Sequence, residues 1–490
     1  MVVPVCARSG AADERGIKLA LLGSLFRRRR RNAHVVESAP FELGVRDMLT
    51  SATIGRLGFG PIRSERSRLP GFRASAIDRP NEHEERRDIV QARMLLRDLF
   101  TPAQPVTDRE RFAGRIDVLE RLIRILEEQR SHVVVFGERG IGKTSLVHIL
   151  ADIARESRYL VAYASCGANA RFDEIFRAML GDIPQLYLRN ISPTGAAAES
   201  GATLADRLPP RAFDARELSE LCAQITGTRV IMILDEYDRI ADSAFRQSVA
   251  ELIKNLSDRA ARVQLVLTGV AANLQELVGY IPSIRRNVVA LPMPRLTLDE
   301  VGALLRIGER AAGVRFEKRL PRLIWQLCNG SPYLARLLAH HAGMTALAQG
   351  RLSIVGDDVW AALEQAVTEA EGRIARRTSA IAAELAHPGN ELMVSAVARA
   401  ASTPDGWFTP ADVIEKLPPG MSLDEATHAL QEIARLDGLL ECEAEVHGVR
   451  YRFIDEALPT YLWMLVARRH LVGSGEAEEQ NELFVEDLTA

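Results

Sequence analysis

Apolar residues fall into short unbroken runs at three places in the chain. Val133–Phe136 is one, Val230–Leu234 is another, and Val263–Leu267 is a third, interrupted only by Gln264. Runs this short and rich in β-branched residues predict strands buried on both faces, as in a parallel sheet. Tyr159–Ser165 alternates and predicts a further strand. Between them the period changes to that of a helix. Leu119, Leu122, Ile123, Ile125 and Leu126 mark one apolar stripe, and Ser145–Leu150, Phe172–Leu180 and Arg216–Gln224 read the same way. Alternating strands and helices predict an α/β fold with a parallel sheet. Leu188–Ala215, rich in Pro, Gly and Ala, is expected as a long surface loop.

Beyond about residue 290 only the helical period persists. Val301, Leu304, Leu305 and Ile307, then Leu334, Leu337 and Leu338, predict a helical lid over 291–368, with Trp325, Tyr333 and Trp360 in its core. Charged, alanine-rich sequence over 369–387 predicts a helical connector. Helices are then expected at Leu392–Ala401, at Thr409–Lys416 after a turn at Trp407–Phe408, and at Ser422–Leu436. Strands at Leu439–Glu445 and Val449–Phe453 follow, and three helices with a β-hairpin describe a winged helix over 388–470. Residues 1–100 show weak periodicity and are expected to be poorly ordered up to a terminal helix at Glu84–Phe100; 101–290 hold the α/β core, and 471–490 form an acidic, disordered tail.

Composition narrows the function classes. The 62 Lys and Arg against 65 Asp and Glu give a net charge of −3, so no global basic excess points to nucleic acid. The five cysteines are scattered and form no C-x-x-C pair, which supports neither a zinc site nor a disulfide framework and fits a reducing cytosol. No apolar run approaches the ~20 residues that span a bilayer. Ile17–Phe26 precedes the basic run Arg27–Arg31, the reverse of a secretory signal, so a cytoplasmic location is expected. Arg27–Arg31 reads as a solvated tail or as a contact to nucleic acid or anionic lipid.

The strongest chemical signal is Gly137-Glu138-Arg139-Gly140-Ile141-Gly142-Lys143-Thr144, which fits G-x-x-x-x-G-K-[ST] and lies between a predicted strand and a predicted helix that includes Ser145. Glycines let such a loop turn tightly, so that backbone N–H groups point at phosphate oxygens beside a helix N-terminus. Lys143 is expected on the β- and γ-phosphates, and the Thr144 hydroxyl on Mg²⁺. ATP and Mg²⁺ are the implied cofactors. The second signal is the strand ending in Asp235-Glu236. Ligands sit at the carboxyl ends of parallel strands, so Asp235 is expected to hold Mg²⁺ through water and Glu236 to polarise the attacking water. Thr268, at the end of the Val263–Leu267 run, reads as a γ-phosphate sensor or as a turn residue. Arg285 and Arg286 read as a trans-acting arginine finger or as a surface pair. Gly114-Arg115, one helix before the phosphate loop, suggests a segment over the adenine side.

Together Gly114-Arg115, the phosphate loop, the Asp235-Glu236 strand and Thr268 resemble an AAA+-type ATPase, close to the STAND signalling ATPases and the origin-recognition/archaeal-initiator ATPases. Phe112-Ala113-Gly114-Arg115 is similar to the STAND motif before the phosphate loop. Asn329-Gly330-Ser331-Pro332-Tyr333-Leu334 is similar to the Gly-x-Pro motif of STAND lids, which implies that Pro332 contacts the nucleotide. A replication-type lid would offer a sensor arginine instead, and Arg336 has the wrong spacing for it. The resemblance implies a nucleotide-dependent switch that turns over slowly, with a protein partner or a second copy of the chain as its contact. The alternative is a DNA-handling ATPase of the initiator, loader or transposition-helper type. Against it, the third helix of the winged helix carries Asp424, Glu425 and Glu432, and the first wing strand Glu441, Glu443 and Glu445, where duplex DNA needs positive charge.

Overall fold

The computed structural model describes residues 84–101, 104–191, 201–271, 284, 286–387, 389–403, 406–418, 420–436, 438–445 and 448–472. Residues 1–83 with Arg27–Arg31, Arg285, and the tail beyond 472 lie outside the described residues.

Helix α1 spans Glu84–Leu99, and α2 spans Ile116–Arg124 and runs on into one π-helical turn, Ile125–Gln129. Strand β1 (His132–Phe136), α3 (Lys143–Glu156), β2 (Leu160–Ser165), α4 (Phe172–Gly181) and α5 (Ala215–Cys222) follow. Then come β3 (Val230–Asp235), α6 (Ser243–Asp258), β4 (Val263–Gly269) and β5 (Val288–Pro292). The five strands pair in parallel in the order β2-β3-β4-β1-β5.

Both faces of this sheet are covered, which is why its strands read as unbroken apolar runs. Val133, Val135, Ile231, Ile233 and Val266 point to one face and pack with α2 and α3. Val134, Met232, Leu234, Leu265 and Leu267 point to the other and pack with α4, α5 and α6. Each fully buried valine or leucine contributes roughly 1.5–3 kcal/mol. At the amino end of β1, buried His132 accepts a hydrogen bond at Nδ1 from the Leu265 N–H, 2.9 Å away, and burial pulls its pKa down to about 4.

Two expectations change here. β5 was not predicted, because five residues at a sheet edge ending in proline offer little periodicity; it carries the core to Pro292. The expected loop Leu188–Ala215 is in part built into the core. Leu188, Leu204, Leu208 and Phe213 are buried beside α4 and α5, and Leu188 and Thr203 form bridges to Ile225 and Pro184. Spaced leucines without a period carry no helix or strand signal, although they pack.

The lid comprises α7 (Leu298–Ala312), β6 (Arg315–Phe316), α8 (Leu320–Cys328), α9 (Pro332–Ala348), β7 (Ser353–Ile354) and α10 (Gly356–Glu371). Helix α1 packs on α7 and α9. There Phe100 lies against Gly308, where a β-carbon would come within 2.4 Å of the ring. Helix α10 runs past the expected boundary at 368. The expected connector is broken at Gly372–Ala375, after which α11 (Arg376–Leu385) starts.

The C-terminal part continues with α12 (Glu391–Ala400), β8 (Trp407–Phe408), α13 (Pro410–Ile414), α14 (Leu423–Ala434), β9 (Leu440–Glu445), β10 (Gly448–Phe453) and α15 (Leu458–Val472). Helix, short strand, two helices and hairpin make a winged-helix arrangement. Trp407–Phe408, expected as a turn, is a third strand, so the sheet has the antiparallel order β8-β10-β9. Strand period divides its side chains: Phe408, Tyr451 and Phe453 are buried on one face, and Trp407, Arg450 and Arg452 occupy the other. Helix α15 packs back on α10, and Trp463 Nε1 donates to the Leu327 carbonyl of α8 at 2.8 Å. Among the described residues no helix is long and apolar enough to cross a membrane.

Candidate active site

Strand register brings the chemistry to one level. Val135 pairs with Thr268 across β1 and β4, Leu234 with Leu267 across β3 and β4, and Ser165 with Asp235 across β2 and β3. The carboxyl ends of β3 and β4 and the loop after β1 therefore line one cleft of about 900 Å³. Seven basic side chains line it against four acidic ones, a balance that suits a polyanion.

The loop after β1 ends at Gly142, the N-cap of α3, with φ of 93° and no side-chain cap. The first N–H groups of α3 thus meet the cleft without a competing side-chain acceptor. The left-handed backbone favours glycine at 142, and any larger residue would also have to displace the tip of Arg115. A β-carbon there would come within 2.7 Å of Arg115 Nη1, which crosses over the loop. Lys143 is buried, and its Nζ donates to the Gly137 and Glu138 carbonyls at 2.8 Å each. Burial lowers its pKa to about 8, opposed by Asp238, Asp235 and Glu138. Gly140, Thr144 and Ser145 line the cleft, and Ser145 Oγ also accepts from the Val106 N–H at 2.9 Å. The Ile141 side chain is buried in the core below, so only its backbone is available to a ligand. Glu138 and Arg139 are both engaged in ion pairs. Glu138 is held by Arg295 through Nε at 3.0 Å and Nη2 at 2.5 Å, and Arg139 pairs with Glu456 of the C-terminal part at 2.9 Å.

Asp235 is buried at the tip of β3 and is well supplied with donors. Its Oδ1 accepts from the Thr268 hydroxyl and, at 3.0 Å, from the Glu236 N–H; its Oδ2 accepts from the Tyr163 hydroxyl at 2.8 Å. Burial, and then the Asp235 carboxylate, raise the Tyr163 pKa, which keeps that phenol a donor. Thr268 is a buried strand residue of β4 and not part of a turn, and it also accepts from the Glu236 N–H at 3.2 Å. Glu236 sits in the left-handed region, φ 54° and ψ 38°. Its Oε2 accepts from Arg239 Nη1 at 2.7 Å and from Ser165 Oγ at 3.3 Å.

Across the cleft, Arg115 has φ 58° and donates from its backbone to Glu300 of α7 and from Nη2 to the Pro294 carbonyl at 3.1 Å. Burial pulls its pKa to about 10, and its buried Nε has no hydrogen-bond partner among the described residues. Gly114 packs on Glu300 and does not line the cleft. Pro332 opens α9 and lines the cleft together with Tyr333 and Arg336. Tyr333 was expected in the lid core; instead it faces the cleft, and its hydroxyl accepts from Arg373 Nη1 at 2.9 Å. Trp325 does serve the lid, donating from Nε1 to the Leu296 carbonyl at 3.1 Å. Arg336, set aside on spacing, lines the cleft, with its pKa lowered by burial to about 10. Arg286 is exposed in the turn before β5, at the amino end of the sheet and away from its own cleft.

Sequence reasoning missed Tyr163 and Arg239, and set Arg336 aside. It also missed Trp407, Arg450, Arg452 and Glu456, which lie more than 260 positions beyond the phosphate loop whose cleft they line. Only Tyr163 carried a signal, a polar residue near the end of a strand neighbouring the acidic one.

The residues fit a nucleotide with its metal. An uncapped helix start, a buried amine and an arginine with an unpartnered buried nitrogen suit phosphates. Mg²⁺ binds by one or two protein oxygens, phosphates and waters, and Asp235 with Thr144 offers that donor set. Among the described residues there is no cluster of three or more His, Cys, Asp or Glu side chains that could hold a metal alone.

Residues 111–267 match the family model described as "AAA ATPase domain". The chain carries an AAA ATPase domain. The match covers α2, the phosphate loop, the acidic strand and most of β4. The AAA domain makes the chain a nucleotide-binding ATP hydrolase of the P-loop class. No curated protein matches the chain. Solved structures similar to it include a Walker-type ATPase of Pyrococcus abyssi, at 17% identity over 74% of this chain and 99% of that one, TM-score 0.43. The Aeropyrum pernix ORC1 protein, solved in complex with DNA, is 16% identical over 77% of this chain and 97% of its own, TM-score 0.38. The Thermotoga maritima RuvB Holliday junction branch migration motor is 16% identical over 75% and 97%, TM-score 0.38.

Proposed function

We propose that this protein is an ATP-driven conformational switch. Lys143 and the loop N–H groups hold the phosphates, Thr144 and Asp235 hold Mg²⁺, Glu236 polarises the attacking water and Thr268 fixes the acidic pair. Arg115 and Pro332 flank the nucleotide from the core and the lid. Residues 101–292 act as the core, 293–371 as the lid, and 376–472 as the responding module.

One observation carries this reading: a single cleft is walled by the core (Lys143, Asp235), the lid (Tyr333, Arg336) and the C-terminal module (Trp407, Arg452). A nucleotide that touches three parts can bias their arrangement, because its contacts differ between states. Turnover is slow, since a switch must persist. Arg286 faces away from its own cleft, so a finger role for it requires a second copy.

The test is the ATPase rate of the full chain with and without duplex DNA, alongside sizing in ADP and in a non-hydrolysable ATP analogue. Slow, DNA-indifferent turnover with an analogue-dependent change of size is the expected result. A DNA-stimulated rate would favour the DNA-handling alternative.

A further inference from the structure

The geometry points to Arg450 and Arg452 as ligands of the nucleotide's terminal phosphate, supplied in cis by the C-terminal sheet. This rests on the reading of the cleft as an ATP site and assigns one wall of it.

Strand period places both arginines on the same face of β10. Register sets Arg450 opposite Glu443 and Arg452 opposite Glu441 on β9, with Trp407 of β8 opposite Arg452. Arg450 donates to Glu443 Oε2 from Nε at 3.1 Å and from Nη2 at 2.7 Å, and Arg452 pairs with Glu441. Both guanidinium carbons lie over the Trp407 ring, at 4.5 and 4.7 Å from its centroid. The opposite face of the sheet is core, so this ladder faces outward, and what it faces is the cleft that holds Lys143 and Asp235. The Glu456–Arg139 pair, at 2.9 Å, sets the chain four residues after Arg452 beside the phosphate loop.

Energetics favour an exchange of partners. Glu443 and Glu441 are about half exposed, and ion pairs of that kind are weak. A terminal phosphate carries more charge and presents oxygens that match a guanidinium fork. Stacking on Trp407 keeps both guanidiniums extended during the exchange, which lowers the ordering cost. Arrival of a γ-phosphate draws Arg450 from Glu443, and with it the hairpin toward the loop. Two arginines committed in this way are also withdrawn from contact with duplex DNA.

The experiment is titration calorimetry of the full chain with Mg²⁺ and either ADP or a non-hydrolysable ATP analogue. Arg450→Gln and Arg452→Gln each weaken the analogue about tenfold or more, the worth of a charge-assisted contact, and ADP by less than about threefold. Glu443→Gln has the opposite sign: it releases Arg450 and tightens the analogue. A folding defect cannot tighten binding, and melting curves of each variant check the fold. Analogue binding also changes Trp fluorescence in the wild type, and Trp407→Phe removes that change. Unaltered affinities in all three charge variants, or equal losses for ADP and the analogue, would overturn the assignment. A wild-type chain that binds neither nucleotide would instead overturn the ATP-site reading beneath it.

Discussion

Glu236 Oε2 lies 2.7 Å from Arg239 Nη1, three residues further along the same turn. The side chain proposed to activate water is thus partnered by a cation of its own segment, and also by Ser165. The left-handed backbone at Glu236 turns the carboxylate toward both groups. If Glu236 activates the attacking water as proposed, this pairing occupies the carboxylate oxygen that would take the proton, so hydrolysis waits on its opening.

Arg239→Ala should therefore raise the basal ATPase rate. The pair is exposed, so the gain is modest, about two- to fivefold. Steady-state phosphate release at saturating ATP measures it. An unchanged or lower rate would mean that Glu236 does not need release from Arg239.

Glu236→Gln keeps the shape of the turn and removes the base. Hydrolysis should fall about a hundredfold or more, the usual worth of a positioned general base, while ATP affinity stays within about threefold of wild type. Single-turnover decay of bound ATP separates the two. Undiminished hydrolysis would move the base elsewhere in the cleft.

Lys143→Ala removes the buried cation proposed to hold the phosphates, where charge-assisted hydrogen bonds are each worth roughly 1.5–3 kcal/mol. ATP affinity should drop about 10- to 100-fold or more. Thermal stability should hold, because the amine is desolvated in the fold and bonded only to the carbonyls of its own loop. Retention of wild-type ATP affinity would falsify the site assignment.

His132 sets an acid limit on stability. Its pKa falls from 6.5 to about 4 on burial, so the fold favours the neutral ring that accepts the Leu265 N–H. For a lowered pKa of a basic group, the stabilisation is complete above the unfolded pKa of 6.5 and is lost as pH falls toward 4. The loss amounts to about 3 kcal/mol over that window. Urea unfolding at several pH values should show a shallower acid slope for His132→Gln than for wild type. Parallel slopes would exclude His132 as the titrating group.

How much of the site was legible depends on how local its signal is. Gly137 to Thr144 was readable because glycines, a lysine and a hydroxyl stand at fixed offsets within eight consecutive residues. Asp235 and Glu236 were readable because they end a strand buried on both faces. Thr268 remained ambiguous, because one hydroxyl after an apolar run carries no spacing. Leu188–Ala215 read as a loop because its buried leucines follow no period.

The sequence by itself determined the α/β core, the phosphate loop, the acidic strand end and the helix-and-hairpin order of the C-terminal part. These follow from local rules: strand and helix periods, turn chemistry and motif offsets. Only the tertiary structure decided which strands neighbour which, and so that Tyr163, Thr268 and Asp235 share one cluster. It also decided that Arg336, Trp407, Arg450 and Arg452 line the same cleft as the phosphate loop. The reason is physical. Such meetings depend on how α15 and the lid helices pack, through contacts such as Trp463 with Leu327 that join residues 136 positions apart. No periodicity records a contact of that range.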